Sequence, residues 1–198
     1  MLLSDNMSKI VVISGGIGSG KSMLCSILRA MGYEVYDCDS RAKSIMDSDA
    51  GIKRVIAEQI CPDAVVDGVI NRQRLAEVVF TNEELLNILN EAVHTAVKYD
   101  IMQWAEKRNP AFVETAIMYQ SGLDRVASQV WEVTAPREVR IDRVMLRSGL
   151  SREAIEQRMA VQDGYIPEHI HPVVYPVVND GETALLPQVE ALINQLLD

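Results

Sequence analysis

The stretch Gly15-Gly16-Ile17-Gly18-Ser19-Gly20-Lys21-Ser22 carries the pattern Gly-x4-Gly-Lys-Ser of a phosphate-binding P-loop. Glycines let such a loop curl so that its backbone N–H groups point at a phosphate, and the following helix adds its positive N-terminal end. The surroundings fit, because the apolar run Ile10–Ile13 precedes the loop and Ser22–Met31 has a helical pattern that stops at Gly32. The stretch therefore predicts a nucleotide-binding protein.

The chemistry of the loop assigns roles to its last residues. We predict that Lys21 acts in catalysis by reaching the β- and γ-phosphates of ATP, and that Ser22 ligates Mg²⁺ through its hydroxyl. The chain lacks the Asn-Lys-x-Asp segment with which GTPases recognise guanine, so a small-molecule kinase is favoured. The loop residues that we expect to bind ATP are Gly15, Gly16, Ile17, Gly18, Ser19, Gly20, Lys21, Ser22 and Met23.

Short runs rich in β-branched residues alternate with helical patterns along the chain. Such alternation predicts an α/β fold with a mostly parallel sheet that helices cover on both faces. Pro176 lies inside the last run, which indicates that this strand is at an edge of the sheet. The five predicted strands are Lys9–Ser14, Glu34–Asp37, Ala111–Thr115, Val130–Thr134 and Val173–Val178, and a final helix is predicted at Ala184–Leu197.

The long connection Ala42–Asn109 contains no convincing strand. A crossover between parallel strands needs only about a dozen residues, so this connection predicts a helical insertion that could grip a substrate. A second helical excursion, Arg147–Pro172, is a candidate lid. The predicted helices of these two segments are Gly51–Ile60, Arg72–Val79, Asn82–Arg108 and Ser151–Gln162.

Composition narrows the classes of partner. The chain has 198 residues with 28 acidic and 19 basic side chains, a formal net charge of −9. A field of this sign repels nucleic acid and anionic membranes, so we expect neither as a partner. No apolar run approaches the length of a membrane helix. Met1–Asn6 does not resemble a secretory signal, and Met7 is an alternative start, so a cytoplasmic location is expected.

Cysteine and histidine show no ligand pattern in the sequence. The three cysteines, Cys25, Cys38 and Cys61, have no metal-binding spacing, and we interpret them as reduced apolar side chains. His169-x-His171 is followed by a proline that favours an irregular loop, so no metal site is predicted there. The only metal expected is therefore the Mg²⁺ that accompanies ATP.

Two carboxylates, Asp37 and Asp39, end the second predicted strand. Residues two apart on a strand share one face, and the carboxyl edge of a parallel sheet is where ligands bind. One acid near Mg²⁺ and one accepting a hydroxyl proton would suit a kinase. The alternative is that both acids belong to a turn or cap the helix that follows.

Three arginines at helical spacing, Arg140, Arg143 and Arg147, follow the fourth predicted strand. Like charges on one helix face are unfavourable unless anions lie between them. Those anions could be the side chains of Glu138 and Asp142, which would make this an ordinary solvated surface. Alternatively, the arginines belong to a lid that closes on the phosphates of ATP.

A series of segments in chain order matches one enzyme family. They are Ser14–Ser22, Val35–Asp39 with Ala42 and Lys43, Asp67–Arg72 with Leu75, Val79 and Phe80, Leu86-Asn87 with His94, Ser121–Asp124, Ala135-Pro136, Arg143, Arg147, Arg158, Gln162 and Asn179–Gly181. Through these segments the chain resembles the dephospho-CoA kinases, which phosphorylate the ribose 3′-hydroxyl of dephospho-coenzyme A in the last step of coenzyme A synthesis. The match extends over nearly the whole chain from Lys9.

The resemblance implies roles for individual residues. Asp39 would accept the proton of the 3′-hydroxyl, and Arg143 would face the phosphates from the lid helix. The implied ATP-binding residues outside the loop are Arg147 and Asn179. The implied substrate-binding residues are Asp37, Asp39, Arg72 and His94. The implied reactants are dephospho-CoA and Mg-ATP, with no nucleic acid or membrane partner, and a monomer is expected.

The resemblance also implies a division of the chain into a P-loop kinase core with a five-stranded sheet, a helical substrate-binding insertion and a helical lid. The core would take residues 7–42, 110–139 and 170–198, the dephospho-CoA domain residues 43–109, and the lid residues 140–169. The chain departs from the family's usual residues at Met23, Thr95, Ala116, Gln120 and Val174. The alternatives are another small-molecule kinase and a nucleotide-binding regulator without catalysis.

Overall fold

The computed structural model describes residues 8–197, so the predictions for Met1–Asn6 and Met7 lie outside the described residues. The first half of the chain contains, in order, the strands and α-helices β1 (Ile10–Ser14), α1 (Lys21–Ala30), β2 (Val35–Asp37), α2 (Cys38–Ser48), α3 (Ala50–Val55), β3 (Val65–Val66), β4 (Val69–Ile70), α4 (Arg72–Val79) and α5 (Glu83–Ala105). They continue with β5 (Ala111–Glu114), β6 (Gln129–Thr134), α6 (Arg137–Ser148), α7 (Arg152–Asp163), β7 (Val174–Val178) and α8 (Leu185–Leu197).

The main sheet has five strands in the order β2-β5-β1-β6-β7. The strand β1 pairs in parallel with β5 and β6, and β6 pairs in parallel with β7. The predicted α/β fold with a five-stranded parallel sheet is therefore confirmed. Pro176 lies opposite Glu132 on the edge strand β7, as predicted, because an edge strand tolerates the missing N–H of proline.

The described part of the chain divides into two compact units, of which the first takes residues 8–36 and 105–197. Its core lies where α1 and α8 pack on the sheet, and the central strand β1 is buried on both faces, with Val11, Val12 and Ile13 fully inaccessible. The aromatic rings of Phe112 and Trp131 pack against each other, with centroids 5.3 Å apart. This core supports the carboxyl end of β1, from which the P-loop emerges.

The helix after the P-loop, α1, begins and ends one residue before the predicted Ser22–Met31, and it stops at the predicted glycine. Gly20 precedes it in a left-handed conformation, with φ of 100°. At the other end Gly32 has φ of 93°, and the N–H of Tyr33 donates to the carbonyl of Leu28 over 3.0 Å. This is the glycine-terminated helix end that the sequence indicates.

The second unit, Asp37–Trp104, is a helical unit with its own core. Buried side chains of α3, α4 and α5 form that core, among them Ile52, Leu75 and Leu89. The prediction that Ala42–Asn109 contains no strand is wrong, because β3 and β4 pair as an antiparallel hairpin. Asp67 and Gly68, with φ of 51° and 75°, form its turn, a dipeptide that favours two-residue hairpin loops.

Two further expectations concern exposure. Cys25, Cys38 and Cys61 are all buried and free, as predicted. Between residues 8 and 197, no helix combines the length and the apolar character that a membrane span requires.

Candidate active site

The P-loop folds tightly over the start of α1. The N–H of Ser19 donates to the carbonyl of Gly16 over 3.1 Å, which closes the curl. The Lys21 ammonium donates to the carbonyls of Gly15, at 2.8 Å, and Gly16, at 3.3 Å. The charge that is predicted to contact phosphates is therefore held over the loop, beside the N-terminal end of α1, where an anion is favoured.

Asn179 secures the loop from the end of β7. Its side-chain amide nitrogen donates to the carbonyl of Ser19 over 2.9 Å. A Cβ at position 20 would overlap that same amide nitrogen, so the close approach of Asn179 requires the glycine as well as its positive φ. The sequence predicts Asn179 only through the family resemblance, and the structure brings it into contact with the P-loop.

Arg143 on α6 contacts the same two partners. One terminal nitrogen, Nη1, donates to the carbonyl of Asn179 at 2.9 Å and to that of Ser19 at 3.4 Å. The other, Nη2, donates to the side-chain oxygen of Asn179 at 3.4 Å. Arg143 therefore lies at the P-loop rather than on a solvated helix face.

Arg140 and Gln162 hold the middle of the loop. The Arg140 Nε donates to the carbonyl of Ile17 over 2.9 Å, and the N–H of Ile17 donates to the Gln162 side-chain oxygen over 2.8 Å. The Gln162 amide nitrogen in turn donates to the carbonyl of Ala116 over 2.9 Å. Gln162 matches the family but was given no role from the sequence, because a contact 145 residues distant leaves no local pattern.

Two of the three clustered arginines, Arg140 and Arg143, do not follow the solvated-surface alternative, because both contact the P-loop. Glu138 pairs with Arg152 on the next helix, with oxygens 2.7 and 2.8 Å from the guanidinium, and so does not neutralise Arg140 or Arg143. Arg147 is exposed in the last turn of α6. Between α6 and α7 lies a small apolar core of Ile141, Val144, Ile155 and Met159.

Ser22 and Met23 lie in the first turn of α1, and both are exposed. The exposed Ser22 hydroxyl is compatible with the predicted role of a Mg²⁺ ligand. Mg²⁺ on ATP is held mainly by phosphate oxygens and water, so it needs few protein oxygens. In the described part of the chain, no three histidine, cysteine or acidic side chains group as a metal site would need. Whether Ser22 ligates Mg²⁺ stays a prediction.

An acid that sequence reasoning missed, Glu114, ends the strand β5 next to β1, opposite Ile13. Burial raises the pKa of the Cys25 thiol, and the charge and hydrogen bond of Glu114 raise it further. The signal for Glu114 was present, since an acid at the carboxyl end of a strand beside the P-loop strand lies at the ligand-binding edge.

In the second unit the structure corrects the placement of the acid pair. The strand β2 ends at Asp37 and α2 begins at Cys38, so Asp37 and Asp39 do not share a strand face. Asp37 caps α2, accepting from the N–H of Ser40 at 3.0 Å and from its hydroxyl at 2.9 Å. This is the capping role left open as the alternative, and the cap overrides the strand pattern because it satisfies free helix N–H groups. Asp39 is exposed in the first turn.

Arg72 and His94 also lie in the second unit. Arg72 begins α4 and donates to Asp47 at 2.8 Å and to the carbonyl of Lys43 at 3.3 Å. His94 is half-buried on α5, and burial, together with the charge of Lys98 one turn later, lowers its pKa. The substrate-binding roles of both residues stay predictions.

The comparisons with known proteins bear on the whole chain. The family model of dephospho-CoA kinase matches residues 9–183. The chain belongs to the dephospho-CoA kinase family. A dephospho-CoA kinase of Porphyromonas gingivalis is 36% identical over 183 residues, 91% of each chain, and one of Thermus thermophilus is 36% identical over 155 residues, 77% of this chain and 74% of that one.

Solved structures agree on the fold. A crystal structure of a Thermus thermophilus protein superposes with a TM-score of 0.73 at 32% identity, covering 96% of both chains. A shikimate kinase of Acinetobacter baumannii gives 0.53 at 13% identity, covering 97% of this chain and 94% of that one, a likeness of fold alone. This chain therefore shares its overall fold with a shikimate kinase.

Proposed function

We propose that this chain transfers the γ-phosphoryl group of ATP to the ribose 3′-hydroxyl of dephospho-CoA, giving CoA and ADP. The observation that carries the proposal is the match of residues 9–183 to the dephospho-CoA kinase family, on a chain whose P-loop keeps the Lys21 ammonium over the phosphate-binding curl. The reaction would be the last step of CoA biosynthesis. A cytoplasmic location and a monomeric state stay predictions.

On the donor side, the residues around the P-loop bind and orient ATP. Lys21 compensates charge on the β- and γ-phosphates, and Ser22 supplies a hydroxyl to Mg²⁺, which would neutralise the phosphate oxygens. Arg143 stabilises the charge that develops on the transferred group, because a guanidinium matches phosphoryl oxygens in charge and geometry. Asn179 and Arg147 complete the nucleotide site that we propose.

On the acceptor side, Asp39 takes the proton of the 3′-hydroxyl. Its carboxylate is exposed in the first turn of α2, and the Asp37 cap fixes the start of that helix. A carboxylate within reach of the hydroxyl makes the oxygen a better nucleophile as the proton leaves. Arg72 and His94 are the further residues that we propose for binding dephospho-CoA in the helical unit, and residues 140–169 are proposed as the lid.

A coupled assay of ADP release tests this function. Purified protein with ATP and Mg²⁺ should turn over with dephospho-CoA and stay at background with shikimate, adenosine and water as acceptors. Turnover with another acceptor and none with dephospho-CoA would contradict the proposed substrate. Nucleotide binding with no acceptor turned over would favour the regulator.

A further inference from the structure

We propose that Arg140 is a further phosphate-contacting residue, which recognises the γ-phosphate of the nucleotide through Nη2 while its Nε holds the P-loop. The proposal rests on the proposed function only in taking ATP as the donor. The sequence places Arg140 in the arginine cluster with Arg143 and Arg147 and indicates no separate role for it.

The first observation is the position of the guanidinium. The Arg140 Nε donates to the carbonyl of Ile17 over 2.9 Å, which fixes the plane of the group against the loop. A Cβ at position 16 would overlap Nη2, so the guanidinium lies directly on Gly16, in space that only a glycine leaves open. The carbonyl of Gly16 also accepts from the Lys21 ammonium at 3.3 Å. Arg140 and the Lys21 ammonium therefore both contact the first part of the loop, at Gly16.

The second observation is an unsatisfied donor. The Arg140 Nη2 is buried and has no hydrogen-bond partner among residues 8–197. The nearest carboxylate oxygen, on Asp163, lies 3.8 Å away, close enough for attraction between charges but too far for a hydrogen bond. A buried N–H of a charged group is costly to leave unpaired, and a phosphate oxygen is the partner that suits it best.

The third observation separates Arg140 from its neighbours. Its side chain is only 14% exposed, whereas that of Arg137, one turn earlier, is 54% exposed. Arg143 donates from both of its terminal nitrogens to Asn179 and Ser19, so fewer of its N–H groups are left for a phosphate. Arg140 instead donates from Nε to the loop, and its Nη2 remains an unpaired donor within the described part of the chain, close to the part of the loop that Lys21 contacts. Because Lys21 is expected to reach the β- and γ-phosphates, Nη2 is suited to the γ-phosphate.

Nucleotide binding without an acceptor tests this role. Calorimetry with Mg²⁺ compares ADP with AMP-PNP, which has a γ-phosphate and resists transfer. Arg140→Gln should weaken AMP-PNP binding about 10- to 100-fold more than ADP binding, the range for one hydrogen bond to a charged group, because loss of the Nε bond to Ile17 weakens the binding of both nucleotides alike. Equal weakening of both nucleotides, or of neither, would show that Arg140 only holds the loop or does nothing, and would overturn the proposal.

Arg137→Gln is the matched control, since it removes the same charge from the same helix at an exposed position. It should leave the ratio of the two affinities unchanged, and a fall equal to that of Arg140→Gln would show a general effect of charge and contradict the proposal. If circular dichroism shows that Arg140→Gln is not folded, the same ratio of AMP-PNP to ADP affinity is measured in Arg140→Lys. A lysine ammonium lacks the rigid fork that places Nε at the Ile17 carbonyl and Nη2 on Gly16 at once, so the ratio should fall at least about threefold, and an unchanged ratio would overturn the proposal.

These outcomes are independent of the proposed acceptor. Phosphorylation of dephospho-CoA without any γ-phosphate preference that depends on Arg140 would contradict this inference and leave the proposed function standing. Failure of the wild-type protein to bind either nucleotide would contradict the proposed function as well.

Discussion

Arg143 and Asn179 are joined twice, because one guanidinium nitrogen donates to the backbone carbonyl of Asn179 at 2.9 Å and the other to its side-chain oxygen at 3.4 Å. Both residues also donate to the carbonyl of Ser19 in the P-loop. The middle of the helix α6, the end of the edge strand β7 and the phosphate loop thus meet at one carbonyl oxygen. A change at any of the three should be felt as a change in nucleotide affinity.

Asn179→Ala tests this junction. The alanine loses the donor to Ser19, while Arg143 keeps its bond to the backbone at position 179. We expect ATP affinity to fall by about 3- to 10-fold, the range for one neutral hydrogen bond. Calorimetry measures the change, with Asn194→Ala on the exposed face of α8 as the matched control. Unaltered affinity in Asn179→Ala would contradict the role of the junction.

Gly20→Ala tests the fit of the loop against Asn179. The φ of 100° is unfavourable for alanine, and the added Cβ would overlap the Asn179 amide. We expect ATP binding to fall below detection. The control is Gly32→Ala, which has φ of 93° but no atom within 4 Å of the new Cβ. It should cost about 1–2 kcal/mol in the free energy of unfolding and leave ATP affinity intact. Similar ATP affinities in the two variants would show that steric fit at position 20 is unimportant.

Asp39→Asn tests the proposed base. The variant keeps shape but cannot accept the hydroxyl proton, so we expect turnover to fall by about 10²-fold or more with ATP affinity unchanged. In Asp37→Asn the new side chain can still cap α2, so stability should persist and turnover should stay within about tenfold. Rapid-quench kinetics with saturating dephospho-CoA separates the two. Wild-type turnover in Asp39→Asn would remove the assigned base.

His94 makes a prediction about pH and stability. Burial and the nearby charge of Lys98 lower its pKa in the folded chain, whereas in the unfolded chain it keeps its ordinary value near about 6.5. As the pH falls through that value, the unfolded chain gains a proton that the folded chain does not, so stability declines. Thermal unfolding between about pH 7.5 and about pH 5.5 should therefore show a smaller loss in His94→Gln than in the wild type. Parallel curves would contradict the assigned shift.

The elements that could be predicted from the sequence are those whose causes are local. The P-loop follows from the need for glycine at Gly20, and the edge position of β7 follows from the missing N–H of Pro176. The hairpin in the second unit was missed because strands of two residues have too little alternation to detect. Its turn, Asp67-Gly68, was quoted only as part of a family motif, although that dipeptide is itself a hairpin signal.

The site could be predicted less completely, because it depends on packing between distant segments. The misplacement of Asp37 and Asp39 on one strand face came from treating Cys38 and Asp39 as a continuation of the strand, where a helix cap at Asp37 competes with it. The contacts of Gln162 and Arg140 with Ile17 arise only once α6 and α7 pack together on the loop. The spacing of the arginines in the sequence does not indicate which of them contacts the P-loop.

The most direct test of the central claim is the product itself. Dephospho-CoA incubated with the protein, ATP and Mg²⁺ should gain the mass of one phosphoryl group in a mass spectrum. The ribose of the product should also resist cleavage by periodate, because phosphorylation of the 3′-hydroxyl removes the 2′,3′-diol that periodate cleaves. A mass gain in a periodate-sensitive product would place the phosphate elsewhere, and an unchanged mass with ATP bound would contradict the proposed phosphoryl transfer.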